Sequence, residues 1–153
     1  MAKPQSSETP PAFKDVDELI RVFDAFMKEV LAHPLIGPKL ARSKMVVRFQ
    51  YTDPEAQITI NFKEPPKDPA LAGNFYWGTG PDIADPDVVF KQSADFSNRF
   101  WQGKENVIAA LAKRQVSAQG SITKALQLIP AIRPSFRIYP KVLEKLGMKH
   151  LII

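Results

Sequence analysis

Two neighbouring segments alternate between apolar and polar side chains, and this alternation constrains the fold more than any other feature of the chain. The apolar members are Met45, Val47, Phe49 and Tyr51 in the first segment and Ile58, Ile60 and Phe62 in the second. A period of two places successive side chains on opposite faces of a strand. The segments therefore predict two strands of a sheet with one covered face, joined by a turn at residues 53–55.

Three more strands are predicted, at residues 74–78, 88–92 and 115–120. Turn-forming Gly80-Pro81 and Asp85-Pro86-Asp87 separate the first two of them. Consecutive strands joined by short connections usually lie side by side. The pattern therefore predicts that the first four strands form an antiparallel meander.

A helix is predicted before the strands. Asp15 followed by Glu18 has the spacing of a capping box, and apolar residues then recur at helical spacing as far as Leu31. His33-Pro34 should end the helix, because the residue before a proline is disfavoured in the α region.

More helices are predicted after residue 92. Ser93 has the character of an N-cap, and the helix that follows it should stop at Gly103. Further helical segments are predicted at residues 107–112, 122–129 and 134–147. Pro134 and Pro140 suit first-turn positions.

This order of elements predicts an α+β fold. We expect a five-stranded, mostly antiparallel sheet covered on one face by helices. At 153 residues the chain has the length of one domain, which we assign to residues 13–153. Residues 1–12 contain three prolines and several small polar residues, so they are expected to form a flexible arm.

Composition excludes several classes of protein. The absence of cysteine excludes disulfides and thiol chemistry. The N-terminus lacks the apolar core of a secretory signal, and no apolar run approaches the ~20 residues that span a bilayer. These features predict a cytoplasmic protein.

Candidate catalytic and metal-binding residues are few. The only histidines, His33 and His150, are 117 positions apart, and His33 suits a capping or surface role. The three aspartates between residues 82 and 87 lack the pattern of a calcium loop, and Gly78-Thr79-Gly80 lacks the third glycine of a dinucleotide site. The sequence therefore predicts no catalytic residue, no metal and no cofactor.

Large apolar residues are dense after residue 93, on short segments broken by proline and glycine. Two interpretations follow from this pattern. The residues fill the core, as most helical apolar stripes do, or the short helices arch over the sheet and leave a cavity.

Several features of this half of the chain resemble the sterol carrier protein family of lipid-transfer domains, in particular a stand-alone bacterial member. The shared features are a helix-opening aspartate at Asp95, the Gly103-Lys104 break, an alanine-rich helix at residues 109–112, a strand ending at Gly120 and a leucine-bearing helix at residues 125–128. The resemblance covers residues 40–146 and is strongest over residues 88–130.

The resemblance implies an apolar tunnel between sheet and helices that holds a fatty acid, fatty acyl-CoA, sterol or phospholipid without changing it chemically. Carried over position by position, it implies the following ligand-binding residues, the last three of them as a C-terminal lid: Phe100, Trp101, Ile108, Leu111, Leu126, Ile129, Phe136, Tyr139 and Leu143.

Three functions remain open at this point. The first is non-catalytic lipid binding and transfer. The second is that of a substrate-holding accessory subunit of a lipid-metabolising enzyme. The third is polyanion or nucleic-acid binding through residues 93–153, which carry 10 Lys and Arg against 3 Asp and Glu. The aromatic residues of this basic segment have buried spacings, so no nucleic-acid partner is expected. Transient contact with an anionic membrane surface fits the charge, and the oligomeric state is left open.

Overall fold

The computed structural model describes residues 12–153. Within those residues the chain forms five strands and seven α-helices. In chain order they are α1 (Val16–Ala32), α2 (Ile36–Ala41), β1 (Val46–Thr52), β2 (Ala56–Asn61), β3 (Asn74–Trp77), β4 (Val88–Ser93), α3 (Ala94–Phe100), α4 (Val107–Ala112), β5 (Ser117–Gly120), α5 (Ile122–Leu126), α6 (Ile129–Ile132) and α7 (Ser135–Lys145), followed by a 3-10 turn at Lys149–Leu151.

The flexible arm predicted for residues 1–12 lies outside the described residues, apart from Ala12. The Ala12 N–H donates a hydrogen bond of 2.8 Å to Asp95 Oδ1 in the first turn of α3. The next residue, Phe13, is buried in the core against Phe23, with ring centroids 5.6 Å apart. The chain is therefore anchored to the domain from residue 12 onward.

The local signals that predicted the ends of α1 are confirmed. Asp15 Oδ1 accepts a hydrogen bond of 2.9 Å from the Glu18 N–H, which satisfies one of the free donors of the first turn. The helix ends at Ala32, and His33 adopts an extended conformation before Pro34. His33 Nδ1 accepts a hydrogen bond of 3.1 Å from the Leu35 N–H, so this histidine caps the connector to α2.

The sheet has the strand order β3-β2-β1-β4-β5. Three of its four pairings are antiparallel, and β1 pairs with β4 in parallel. The prediction of five strands in a mostly antiparallel sheet is confirmed. The predicted meander of the first four strands is wrong, because β4 lies next to β1 and not next to β3.

The connection between β3 and β4 explains this error. It spans residues 78–87. Strands β3 and β4 are three positions apart in the sheet, and ten residues easily cover the roughly 15 Å between them. The segment crosses the polar face of the sheet, where Arg48 Nη2 donates a hydrogen bond of 3.2 Å to the carbonyl of Ala84. A connection of this length permits a crossover, so its length alone does not determine which strands pair.

The two faces of the sheet differ in chemistry. The inward face is apolar and packs against the helices in the core, with Ile58 and Ile60 of β2 and Val47 of β1 all buried. The outward face is polar: Arg48 Nε donates to Thr59 Oγ1 at 2.9 Å, and Gln50 and Gln57 share a hydrogen bond across the strands. The prediction that helices cover one face is confirmed.

The two prolines that were predicted at first-turn positions of helices differ in where they lie. Pro134 precedes α7 as its N-cap, but Pro140 lies inside that helix, where its missing N–H removes one hydrogen bond of the helix. The prediction for Pro140 is wrong because buried Tyr139 and Val142 hold the chain in the helix on both sides of the proline. The helix predicted at residues 122–129 ends at Leu126, and a separate turn, α6, begins at Ile129.

Asp87 joins three parts of the sheet at the start of β4. Its Oδ2 accepts a hydrogen bond of 2.8 Å from the Val46 N–H, and its Oδ1 forms a 3.0 Å ion pair with Lys63 Nζ. Its backbone N–H donates to the carbonyl of Val46, and its carbonyl accepts from the Ser121 N–H, both at 2.8 Å. Desolvation by itself would raise the pKa of Asp87, but the hydrogen bond from Val46 and the charge of Lys63 lower it below its usual value.

We predict that Asp87 stabilises the fold in a pH-dependent way. Since its folded-state pKa is lowered, its contribution is complete above the unfolded pKa of about 3.9 and is lost as the pH falls through the folded value. Asp87→Asn should lower the free energy of unfolding by about 1 kcal/mol at neutral pH, and the difference from wild type should shrink below about pH 4. Urea denaturation from pH 3 to pH 7 measures this, with exposed Asp85→Asn as the control. A difference that stays constant over this range would contradict the prediction.

Within the described residues, no helix combines the length and the apolar character that crossing a membrane requires.

Candidate binding cavity

An apolar cavity lies between the inward face of the sheet and the short helices α3 to α6. Its volume is about 110 Å³, several times the ~10–15 Å³ that a cavity needs in order to hold one water molecule. The described residues that line it are Met27, Val30, Leu40, Val47, Phe49, Ile60, Phe62, Phe90, Gln92, Phe96, Phe100, Trp101, Val107, Ala125, Leu126, Leu128, Ile129 and Ile132.

The floor of the cavity belongs to the sheet. Phe49 of β1 pairs in register with Phe90 of β4 and with Ile58 of β2, and the rings of Phe49 and Phe90 stack with centroids 5.8 Å apart. Val47 and Ile60 continue this surface. These side chains come from the same face of neighbouring strands, so together they form a continuous apolar surface.

The roof consists of helical segments too short to cover this surface completely. Helices α4, α5 and α6 contain six, five and four residues, and α6 has no buried residue. Leu126, Leu128 and Ile129 are therefore only partly buried although they line the cavity. A roof with few buried contacts is displaced at a lower free-energy cost than a core helix.

Aromatic packing fixes the end of the cavity at α3. Phe100 and Trp101 lie edge to face with centroids 5.0 Å apart, and Trp101 packs in the same way on Phe26 of α1 at 4.9 Å. Such pairs add stabilisation beyond that of the buried area. The α3 wall is therefore the rigid side of the cavity.

Four of the nine residues expected to bind a ligand line the cavity: Phe100, Trp101, Leu126 and Ile129. Phe136 of the expected lid packs behind this wall, with centroids 5.5 Å from Phe100 and 6.3 Å from Trp101. The role of these residues as ligand contacts stays a prediction.

The remaining four residues do not line the cavity. Ile108 is 62 % exposed on the outer side of α4, and Leu111 packs on the smaller cluster of core residues around β4. Tyr139 and Leu143 of the expected lid are fully buried. Helix α7 packs against α1, with Tyr139 against Phe23 and Phe26, so Tyr139 and Leu143 lie in the core. Their role as a lid stays a prediction.

The sheet residues of the floor were missed by the sequence analysis. Their alternation assigned Val47, Phe49 and Ile60 to the covered face, and this signal was correct. It did not show which covered residues face a gap and which face a helix. Gln92 of β4 was missed for a different reason, because polar residues in strands are usually exposed.

The polar groups buried beside this region are uncharged. Burial raises the pKa of the Tyr51 hydroxyl and of the Tyr139 hydroxyl far above neutral pH. The Tyr139 hydroxyl donates a hydrogen bond of 2.7 Å to Asn98 Oδ1. Within the described part of the chain, no residue that lines the cavity is acidic or basic, and no group of three His, Asp or Glu side chains could hold a metal ion. This arrangement can exclude water from an apolar guest.

Sequence comparison finds no matching family model and no matching curated protein. Structural comparison does find similar proteins. The sterol carrier protein domain 2 of Helicoverpa armigera is 21 % identical at a TM-score of 0.58, covering 76 % of this chain and 88 % of that one. Sterol Carrier Protein 2 from Yarrowia lipolytica, in its apo form, is 15 % identical at a TM-score of 0.52, covering 80 % and 87 %.

A third similar structure is that of the ubiquinone synthesis protein UbiJ-SCP2. It is 14 % identical at a TM-score of 0.51, covering 74 % of this chain and 87 % of that one. In all three proteins the similarity extends over most of both chains at low sequence identity. The chain therefore has the fold of sterol carrier protein 2 domains.

Proposed function

We propose that this protein binds a lipid-like molecule in the apolar cavity and transfers it without altering it chemically. The observation that carries the proposal is the continuous apolar lining, formed by a rigid sheet floor and a weakly packed roof. Each methylene moved from water into such a site contributes about 0.8 kcal/mol. A long chain can therefore reach micromolar affinity after the costs of association.

The size of the cavity determines how a ligand enters. A volume of about 110 Å³ is somewhat below the ~150 Å³ of an apolar cavity that takes up benzene. A longer guest therefore requires α5 and α6 to move outward from the sheet. Their partial exposure makes this the part of the cavity wall that moves at the lowest cost.

The charge around the roof favours docking on an anionic membrane. Lys113, Arg114, Lys124 and Arg133 are exposed on or beside the roof helices, and none of them forms an ion pair within residues 12–153. The exposed Ile108 lies on the same segment of the chain. Basic side chains near an anionic surface contribute about 1 kcal/mol each, which would hold the roof against the donor or acceptor membrane.

Titration with n-alkanols tests the cavity. The chain contains two tryptophans, so in a Trp77→Phe background the fluorescence reports on Trp101 in the cavity wall. Affinity should rise about fourfold for each added methylene between hexanol and dodecanol until the cavity is full.

Native mass spectrometry, followed by organic extraction, then identifies any co-purified lipid. An affinity that is independent of chain length, in a protein that co-purifies with no lipid, would contradict the proposal.

A second function is supported by one of the similar structures. Because UbiJ-SCP2 is a ubiquinone synthesis protein, the same cavity could hold a lipid-like substrate for a lipid-metabolising enzyme. Transfer of lipid between vesicles by the purified protein alone supports the carrier. A protein that binds lipid, transfers none and co-purifies with such an enzyme supports the accessory subunit.

A further inference from the structure

Gln92 is the one residue with an amide, hydroxyl or carboxyl side chain among the described residues that line the cavity. It lies on β4, beside Tyr51 of β1 in the parallel register, and is 7 % exposed. Within residues 12–153 its side-chain amide forms no hydrogen bond with another side chain or with the backbone. An amide offers two N–H donors and an accepting oxygen, so Gln92 leaves these groups available at the cavity wall.

The other buried amides among residues 12–153 are all paired. Asn61 Oδ1 accepts a hydrogen bond of 2.8 Å from the Lys63 N–H, and Asn74 Oδ1 accepts one of 2.8 Å from the Lys67 N–H. Asn98 donates to the carbonyl of Leu151 at 3.1 Å and accepts from Tyr139 at 2.7 Å. Each of the three has at least two hydrogen bonds within the fold, whereas the Gln92 side chain has none among the described residues.

Among the described residues, the fully enclosed side-chain oxygens and nitrogens without a hydrogen bond are Ser97 Oγ and Ser135 Oγ, so the Gln92 amide keeps some accessible surface at the cavity wall. An amide that faces an apolar space without a protein partner is still less favourable than an apolar side chain there. Leucine or methionine would fill the same space without this cost. The amide is therefore better explained by a partner that is bound only part of the time. Such a partner would be a polar group on the molecule that enters the cavity.

The chemistry of the wall limits what this group can be. Among the described residues, no acidic or basic side chain lines the cavity, and burying an ionised carboxylate without a cation is very costly. A neutral oxygen group matches an amide, which can both donate to it and accept from it. We propose that Gln92 is a specificity-determining residue that hydrogen-bonds a neutral oxygen of the ligand, such as an alcohol, ketone or ester.

This inference rests on the proposed binding function, and it is tested with three probes of equal chain length: octan-1-ol, octane and octanoate. The wild type should bind octan-1-ol more tightly than octanoate at neutral pH, because the ionised carboxylate finds no cation in the cavity. Gln92→Leu should weaken binding of octan-1-ol about tenfold and leave binding of octane unchanged or tighter. Gln92→Met, which keeps the side-chain length, should behave in the same way.

Controls separate binding from folding. Gln119→Leu makes the same chemical change at an exposed position of β5 and should leave binding of all three probes unchanged. The unliganded Gln92→Leu protein should be at least as stable in urea as the wild type, whereas a structural role for the amide would make it less stable.

The possible outcomes also distinguish this inference from the proposed function. Equal weakening of octan-1-ol and octane binding by Gln92→Leu, or no weakening of either, would overturn the role of Gln92 while leaving a binding cavity in place. A wild type that binds neither octan-1-ol nor octane would overturn both the role of Gln92 and the proposed binding function.

Discussion

An Ala125→Phe variant is expected to bind n-alkanols about 100-fold more weakly than the wild type. Ala125 is buried on α5 and lines the cavity, so a phenyl ring at this position would occupy the space of a ligand. Excluding roughly four methylenes from the cavity would remove about 3 kcal/mol of binding free energy, which corresponds to about two orders of magnitude in the dissociation constant. Titration with Trp101 fluorescence as the signal measures the change.

The control for this variant is Ala112→Phe, which adds the same ring at an exposed position on α4. It should bind alkanols as the wild type does. Filling an apolar cavity with an apolar ring is compatible with folding, although overpacking can cost about 1–3 kcal/mol of stability, so circular dichroism should accompany the titration. A folded Ala125→Phe protein with wild-type affinity would show that ligands bind elsewhere.

A Gly120→Ala variant is expected to lose about 3 kcal/mol or more of unfolding free energy. Gly120 ends β5 with a φ of +98°, and a Cβ atom there would overlap the carbonyl oxygen of Asp87. That oxygen is held in place by the Ser121 N–H, and the side chain of Asp87 is held by Val46 and Lys63. The oxygen cannot move away without disturbing the junction of β1, β4 and β5.

A second glycine separates backbone strain from this overlap. Gly78 has a φ of +81°, but a Cβ atom there would meet no atom within 4 Å. Gly78→Ala should therefore cost only about 1 kcal/mol, from its unfavourable φ. Urea denaturation of the two variants measures the difference, and equal losses would show that the contact with Asp87 contributes nothing.

Local structure could be predicted from the sequence wherever the signal was itself local. Ser93 caps α3 by accepting a hydrogen bond of 3.0 Å from the Phe96 N–H, as expected from the residue type and its position. The inward faces of β1 and β2 followed from a period of two, because this period is a property of the extended backbone. These features depend on a few consecutive residues.

Features that depend on distant parts of the chain were missed or misplaced. The parallel pairing of Val47 with Val88 depends on the path of a ten-residue connection, which the strands themselves do not encode. Tyr139 was expected in a lid and lies fully buried in the core, because amphipathic spacing does not show which surface the apolar face of a helix will meet.

The sequence by itself therefore determined the α+β class, the local ends of the elements and the covered face of the sheet, since each follows from backbone geometry and residue type over a short stretch. Only the tertiary structure decided where the short helices leave a gap and that Gln92 faces this gap. A cavity is the difference between the space that packed elements enclose and the volume of the side chains that fill it, and this difference exists only once the elements have come together.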